Sequence, residues 1–196
     1  MVGIEAAIVL IAFVVIAAAL AYVVINMGFY AAQTAKSTIN NGVNEATSAL
    51  ELDGYITGLT DGSGNVVYLA LPVKLAVGQQ QVDMGSNTVI VAVQGGNFSL
   101  ANIYSGAANS TGTSDLAKLM SSETGAPNAT TYIYNGISST VLSQNAKAYI
   151  VVALGSNTLV PYTKFTVDVR TSVGASLTVQ REIPGGLPDN TLVNLG

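Results

Sequence analysis

From Ala6 to Ile25 the chain is an unbroken apolar run, AAIVLIAFVVIAAALAYVVI, and no charged side chain falls between Glu5 and Lys36. At ~1.5 Å of rise per residue, ~20 helical residues cross the ~30 Å hydrocarbon layer of a bilayer. The stretch therefore fits a membrane as a helix, and any fold for the remaining residues has to accommodate it. A secretory signal peptide, a single-pass anchor and a fully buried core helix are the three plain readings. A signal peptide has a basic leading region, a shorter apolar stretch and a cleavage site. Here helix-compatible sequence continues through Asn26-Met27-Gly28, with no break before Gly42. Flanks rich in Lys and Arg normally stay in the cytoplasm, yet the basic residue near the run is Lys36, on its far side. A positively charged leader removed just ahead of Met1 is the expectation that accounts for the missing flank.

Chemistry is narrowed by what the chain lacks. It has neither His nor Cys, so the familiar catalytic triads, disulfides, thiolate metal sites and cysteine nucleophiles are excluded. G-x-S-x-G, P-loop and G-x-G-x-x-G spacings are absent as well. Asp61-Gly62-Ser63-Gly64-Asn65 alternates oxygen side chains as a calcium loop would begin, but Pro72 stands where an EF-hand requires Glu. The segment reads as a turn, and no metal or cofactor is expected. Charged residues make up 9% of the chain, with a net charge of -4. The few Lys and Arg are scattered, which argues against a nucleic-acid partner, since that needs a clustered basic stripe. The surface must instead be built from Ser, Thr, Asn, Gln and Gly.

Glu5 opens the apolar run. A carboxylate in a first helical turn is favoured by the helix dipole and the free N–H groups there. In apolar surroundings it also needs a partner, and a freed α-amino group at Met1 would serve; both readings stand. Beyond Gly28, Ala32, Ala35, Ile39, Val43, Ala46 and Leu50 recur at helical steps opposite Gln33, Ser37, Asn40, Asn44, Ser48 and Glu51. This predicts one helix to about Asp53, ended by Gly54, and on the order of 75 Å long. No fold of the remaining residues could bury so long a helix.

From Tyr55 the pattern is that of strands. Val66–Leu71, Thr88–Val93, Ala148–Leu154 and the alternating Phe165–Arg170 are β-rich runs, separated by turn signals such as Gly95-Gly96, Asn135-Gly136 and Gly155-Ser156-Asn157. The expected class is α+β: residues 1–54 as a long N-terminal hydrophobic helix, and residues 55–196 as an all-β, Ig-like sandwich. Ser114–Ser122 is expected to form a short helix capped by Ser114. Residues 95–130 are expected to be long loops, and the tail from Pro184, with its Pro and Gly, to lack regular structure. Three glycosylation sequons lie in the loop-rich region, at Asn97, Asn109 and Asn128.

The opening GIEAAIVLIAFVVIAAALAYVVINMGFYAAQTAKSTINNGVNEATSALELDG resembles the N-terminal region of archaellins, the archaeal flagellins, within the type IV pilin superfamily. A fainter likeness lies in FTVDVRTSVGASLTVQREIP, from Phe165 to Pro184. The resemblance implies a prepilin-type peptidase that cuts a basic leader and leaves Met1 as the mature N-terminus. It implies a membrane-inserted precursor, membrane assembly and motor machinery, and an extracellular homopolymer with the helices inside and the β-domains outside. Ile4, Glu5, Ile8, Ile11, Val15, Leu20, Ile25, Phe29, Ile39 and Val43 would then be polymerisation residues, and Glu5 matches the position of the pilin glutamate. The implied role is structural, in swimming, with an N-linked glycan on the outer domain. A non-rotating adhesive pilus subunit and a membrane-anchored β-domain that binds a sugar or peptide are the alternatives. An enzyme is the reading with least support.

Overall fold

The computed structural model describes residues 2–46, 50–77, 81–109, 115–123, 125, 127–136 and 138–196. The chain divides into two compact units, Met1–Val43 and Asn44–Gly196. The first is a single helix, α1, running Val2–Ala46 over 45 residues, about 67 Å at the usual rise. Ala and unbranched apolar residues are good helix formers, and no Pro interrupts the segment. Its many Val and Ile are weaker helix formers in water, a preference of little weight where the backbone must satisfy its own hydrogen bonds.

The helix is shorter than its apolar stripe suggests. Leu50–Leu52 is not helical but forms strand β1, which pairs antiparallel with the end of β3 (Val66–Leu75) in the register Leu50↔Leu75 and Leu52↔Val73. Leu50 continues the helical spacing from Ala46, but it equally begins a strand alternation with Glu51 and Leu52. Burial in the sheet core, where Leu50 is 3% exposed, decides between them.

The second unit holds two principal sheets. The larger has the order β13-β2-β3-β10-β8-β7, with β1 beside β3; the members still to be placed are β2 (Thr57–Thr60), β7 (Tyr104–Asn109), β8 (Asn128–Tyr134), β10 (Lys147–Ala153) and β13 (Leu192–Asn194). The smaller has the order β12-β11-β5-β6, from β5 (Val89–Gln94), β6 (Ser99–Leu100), β11 (Lys164–Thr171) and β12 (Leu177–Glu182). A two-stranded ladder joins β4 (Val82–Asp83) to β9 (Val141–Leu142). Val89, Val91 and Val93 of β5 and Phe165, Val167 and Val169 of β11 turn inward at every second position. They meet Leu69, Leu71, Val73, Ile150 and Val152 from the larger sheet in one continuous core, so the domain is a β-sandwich. A helix followed by this β-rich unit is the expected class.

Central strands β3 and β10 bury both faces along much of their length, because α2 (Leu116–Ser121) packs Leu119 and Met120 against Ala70 and Val151 on the outer side. The N-cap of α2 is Asp115, whose side chain accepts from the Ala117 N–H at 3.1 Å. Ser114, the cap expected from the sequence, lies outside the described residues.

Two expected loop regions carry strands instead. β7 lies within residues 95–130 and pairs parallel with β8. The tail is bound along β2: Leu192↔Leu59 and Asn194↔Thr57 are in register, the Leu195 N–H donates to the Ile56 carbonyl at 2.8 Å, and the Thr60 hydroxyl donates to the Pro188 carbonyl at 2.6 Å. Asp61–Asn65 is a turn, as expected. The Asp61 carboxylate accepts from the Ser63 and Asn65 N–H groups at 2.8 and 2.9 Å, and Gly64 takes the left-handed φ of 73° that the turn requires.

Candidate polymerisation surface

All of α1 from Gly3 to Val43 is exposed. The nine apolar side chains expected to carry polymerisation, Ile4, Ile8, Ile11, Val15, Leu20, Ile25, Phe29, Ile39 and Val43, are each between 56% and 69% exposed. Eight of them share one broad stripe about 140° wide at 3.6 residues per turn, whereas Leu20 stands opposite with the exposed Val9, Phe13 and Ile16, so a single flat partner cannot cover the apolar surface. Phe13, Tyr22 and Tyr30, which the sequence pattern did not single out, are exposed still further. An aromatic ring inside an otherwise aliphatic run was the signal available for them.

Burying one Val, Leu, Ile or Phe side chain is worth ~1.5–3 kcal/mol, so covering the nine would be worth on the order of 20 kcal/mol before association costs. A helix with an 18-residue window of mean hydropathy 3.2 is long and apolar enough to cross a membrane. Its two threonine hydroxyls do not oppose that burial. The Thr34 hydroxyl donates to the Tyr30 carbonyl and the Thr38 hydroxyl to the Thr34 carbonyl, both at 2.9 Å, which removes their need for water. Two shallow grooves mark the helix surface. One is bordered by Glu5, Ala6, Val9, Leu10 and Phe13, the other by Tyr30, Ala31, Thr34, Ala35, Thr38 and Ile39. The small residues of the second would admit another helix closely. Met1 lies outside the described residues.

The β-domain shows a different chemistry. Asn97, in the connection between β5 and β6, is exposed. Asn128 stands within β8, and its side chain is engaged at both ends: Nδ2 donates to Glu123 at 2.9 Å and Oδ1 accepts from the Ser105 hydroxyl at 2.6 Å. The hydroxyl of its sequon partner Thr130 donates to the same carboxylate at 3.0 Å, and so does that of Tyr132. Burial first, then the Glu123 hydrogen bond, pushes the Tyr132 phenol up to about 12. Asn109 ends β7, and the rest of its sequon, Ser110 and Thr111, lies outside the described residues. The domain's most connected ion pair centres on Asp53, which contacts Lys147 Nζ at 2.6 Å and Lys74 Nζ at 3.3 Å. Among the described residues, no buried side-chain nitrogen or oxygen lacks a partner, and no three His, Cys, Asp or Glu side chains gather as a metal site would need. The concentration of unmet burial is on α1.

Comparison with known proteins agrees with this layout. The family model for archaeal-type flagellin matches residues 1–181. A protein described as probable flagellin 1 from Aeropyrum pernix is 40% identical over all of this chain and 97% of its own length. Probable flagellin 1 from Archaeoglobus fulgidus is 31% identical over 98% of this chain and 93% of its own. Among solved structures, the archaeal flagellum of Methanospirillum hungatei covers 94% of both chains at 26% identity with a TM-score of 0.61. Archaeal flagellin FlaB1 from Methanocaldococcus jannaschii, at 17% identity, covers 76% of this chain and 97% of its own with a TM-score of 0.62, a likeness of fold.

Proposed function

The chain belongs to the archaeal-type flagellin family, and on that premise we propose that α1 is the polymerising element of an archaeal flagellar filament. The subunit is structural and forms a homopolymer at the cell surface that serves swimming. The observation that carries the role of α1 is the all-round apolar exposure of its run from Ala6 to Ile25, an expensive state that copies of the same helix would relieve. Lipid relieves it equally well, so the same segment holds the precursor in the membrane until a prepilin-type peptidase and the assembly machinery pass it to the filament base. The second unit, Asn44–Gly196, forms the outer coat and accepts N-linked glycan, with Asn97 more open than Asn128.

The test is a charge in the middle of α1. Val15→Asp and Leu20→Asp place an unpaired carboxylate where burial would cost several kcal/mol. Each variant should keep a folded β-domain by circular dichroism and yield no filaments by electron microscopy. Filaments of normal length from either would overturn the role given to α1.

A further inference from the structure

Glu5 and Lys36 are the only charges between residues 2 and 43. Both are exposed, and neither belongs to an ion pair among the described residues. They stand about 46 Å apart along one helix, so they cannot meet within a chain. Packing α1 among copies of itself would desolvate an acid near one end of the apolar segment and a base near the other, and each is strongly disfavoured without an opposite charge.

Resting on the reading that α1 packs against its own copies, we propose that Glu5 of each subunit pairs with Lys36 of a neighbour, so that the pair fixes an axial offset of about 46 Å between those two helices. Direction around the helix supports an open chain of contacts. At 3.6 residues per turn the two positions lie roughly 140° apart about the axis. An antiparallel dimer would satisfy both charges against a single partner only if they shared a face, and they do not. Each subunit instead offers its acid to one neighbour and its base to another. Such a head-to-tail contact propagates into a filament where a two-fold contact would close. The surroundings fit the stakes. Glu5 borders the groove with Ala6, Val9, Leu10 and Phe13, so a neighbour seated there would exclude water from the carboxylate and make its partner decisive.

The most direct test treats intact native filaments with a membrane-permeant carbodiimide. The reagent joins a carboxyl carbon to an amine nitrogen in contact with it, and takes up the water lost as a urea. Peptide mass spectrometry should then find Glu5 joined to Lys36, in filaments and not in dispersed subunits. Asp53 and Lys147, 2.6 Å apart within one domain, serve as the internal control and should be joined in both. Finding the control link without a Glu5–Lys36 link, or with Glu5 joined to an α-amino group, would overturn the proposal.

Charge reversal gives a second reading. Glu5→Lys and Lys36→Glu alone should each lower filament yield at least tenfold, and the two together should recover it to within about threefold. Wild-type yield from Lys36→Glu, or no recovery in the double variant, would contradict the offset-setting role. Either outcome leaves the polymerising role of α1 in place, since that stands or falls on the Val15→Asp and Leu20→Asp filaments.

Discussion

Asp53 shows how a single side chain ties down the start of the β-domain. The Lys147 hydrogen bond holds its carboxyl below the usual 3.8, partial burial opposes that shift, and Lys74 adds to it. A carboxylate that binds its proton more weakly when folded stabilises the fold above its unfolded value and loses that contribution as pH falls through the folded one. Lys147, raised above 10.5 by Asp53, contributes below that value and loses the contribution as pH rises through its folded one. The ion pair is therefore fully effective between about pH 4 and 10, and Asp53→Asn should flatten the acid limb of stability. Urea midpoints measured from pH 7 to about 2 should fall less steeply for the variant than for the native domain; parallel limbs would contradict this. The sequons divide on the same residue-level grounds. A glycan on Asn128 would have to displace both the Glu123 and the Ser105 hydrogen bonds from the middle of a strand, whereas Asn97 is free of such constraints. Intact-mass and peptide analysis of native filaments should find Asn97 carrying hexose-sized additions and Asn128 unmodified; the reverse occupancy would refute the assignment.

Among the elements, the strands announced by continuous β-branched runs were legible in the sequence and those announced by pairing alone were not. Val66–Leu71 and Phe165–Arg170 declare themselves through Val, Leu and Phe at strand spacing. β7, with the sequence YSGAAN, has little strand propensity of its own and is strand because β8 offers it a ladder. The tail likewise reads as Pro- and Gly-rich coil, yet Val193 and Leu195 are buried beside β2 through bonds that no local pattern encodes. Leu50 was the hardest case, because helix and strand spacings agree at that position. The polymerisation surface was the more legible feature. A helix without a polar face must be covered by something, and that follows from the sequence without coordinates. The place of β1 in the sheet has a measurable consequence. A fragment beginning at residue 47 keeps the Leu50–Leu75 pairing and the Asp53 ion pairs, whereas one beginning at residue 55 loses them and the ~1.5–3 kcal/mol from Leu50 burial. Both should be β-rich and monomeric, with the longer fragment unfolding at the higher urea concentration. Equal midpoints would mean that β1 adds nothing to the domain.

At the scale of the molecule, two units answer two solvents. The run from Ala6 to Ile25 has no polar face, so the proposed membrane-held and filament-packed states place the same demand on its sequence. The sandwich satisfies its own core and meets water through a surface with few charges, where extensive ion-pair networks cannot form. The head-to-tail pairing of Glu5 with Lys36 would add direction to an association that hydrophobic burial alone leaves unspecific. The central claim is that the exposed helix is covered by other copies of the same helix, and electron cryo-microscopy of native filaments tests it most directly. The reconstruction should place α1 of many subunits around the filament axis, with Val15 and Leu20 shielded from solvent and the β-domains outside. Filaments held together through the β-domains, with α1 on the outer surface or in contact with solvent, would contradict it.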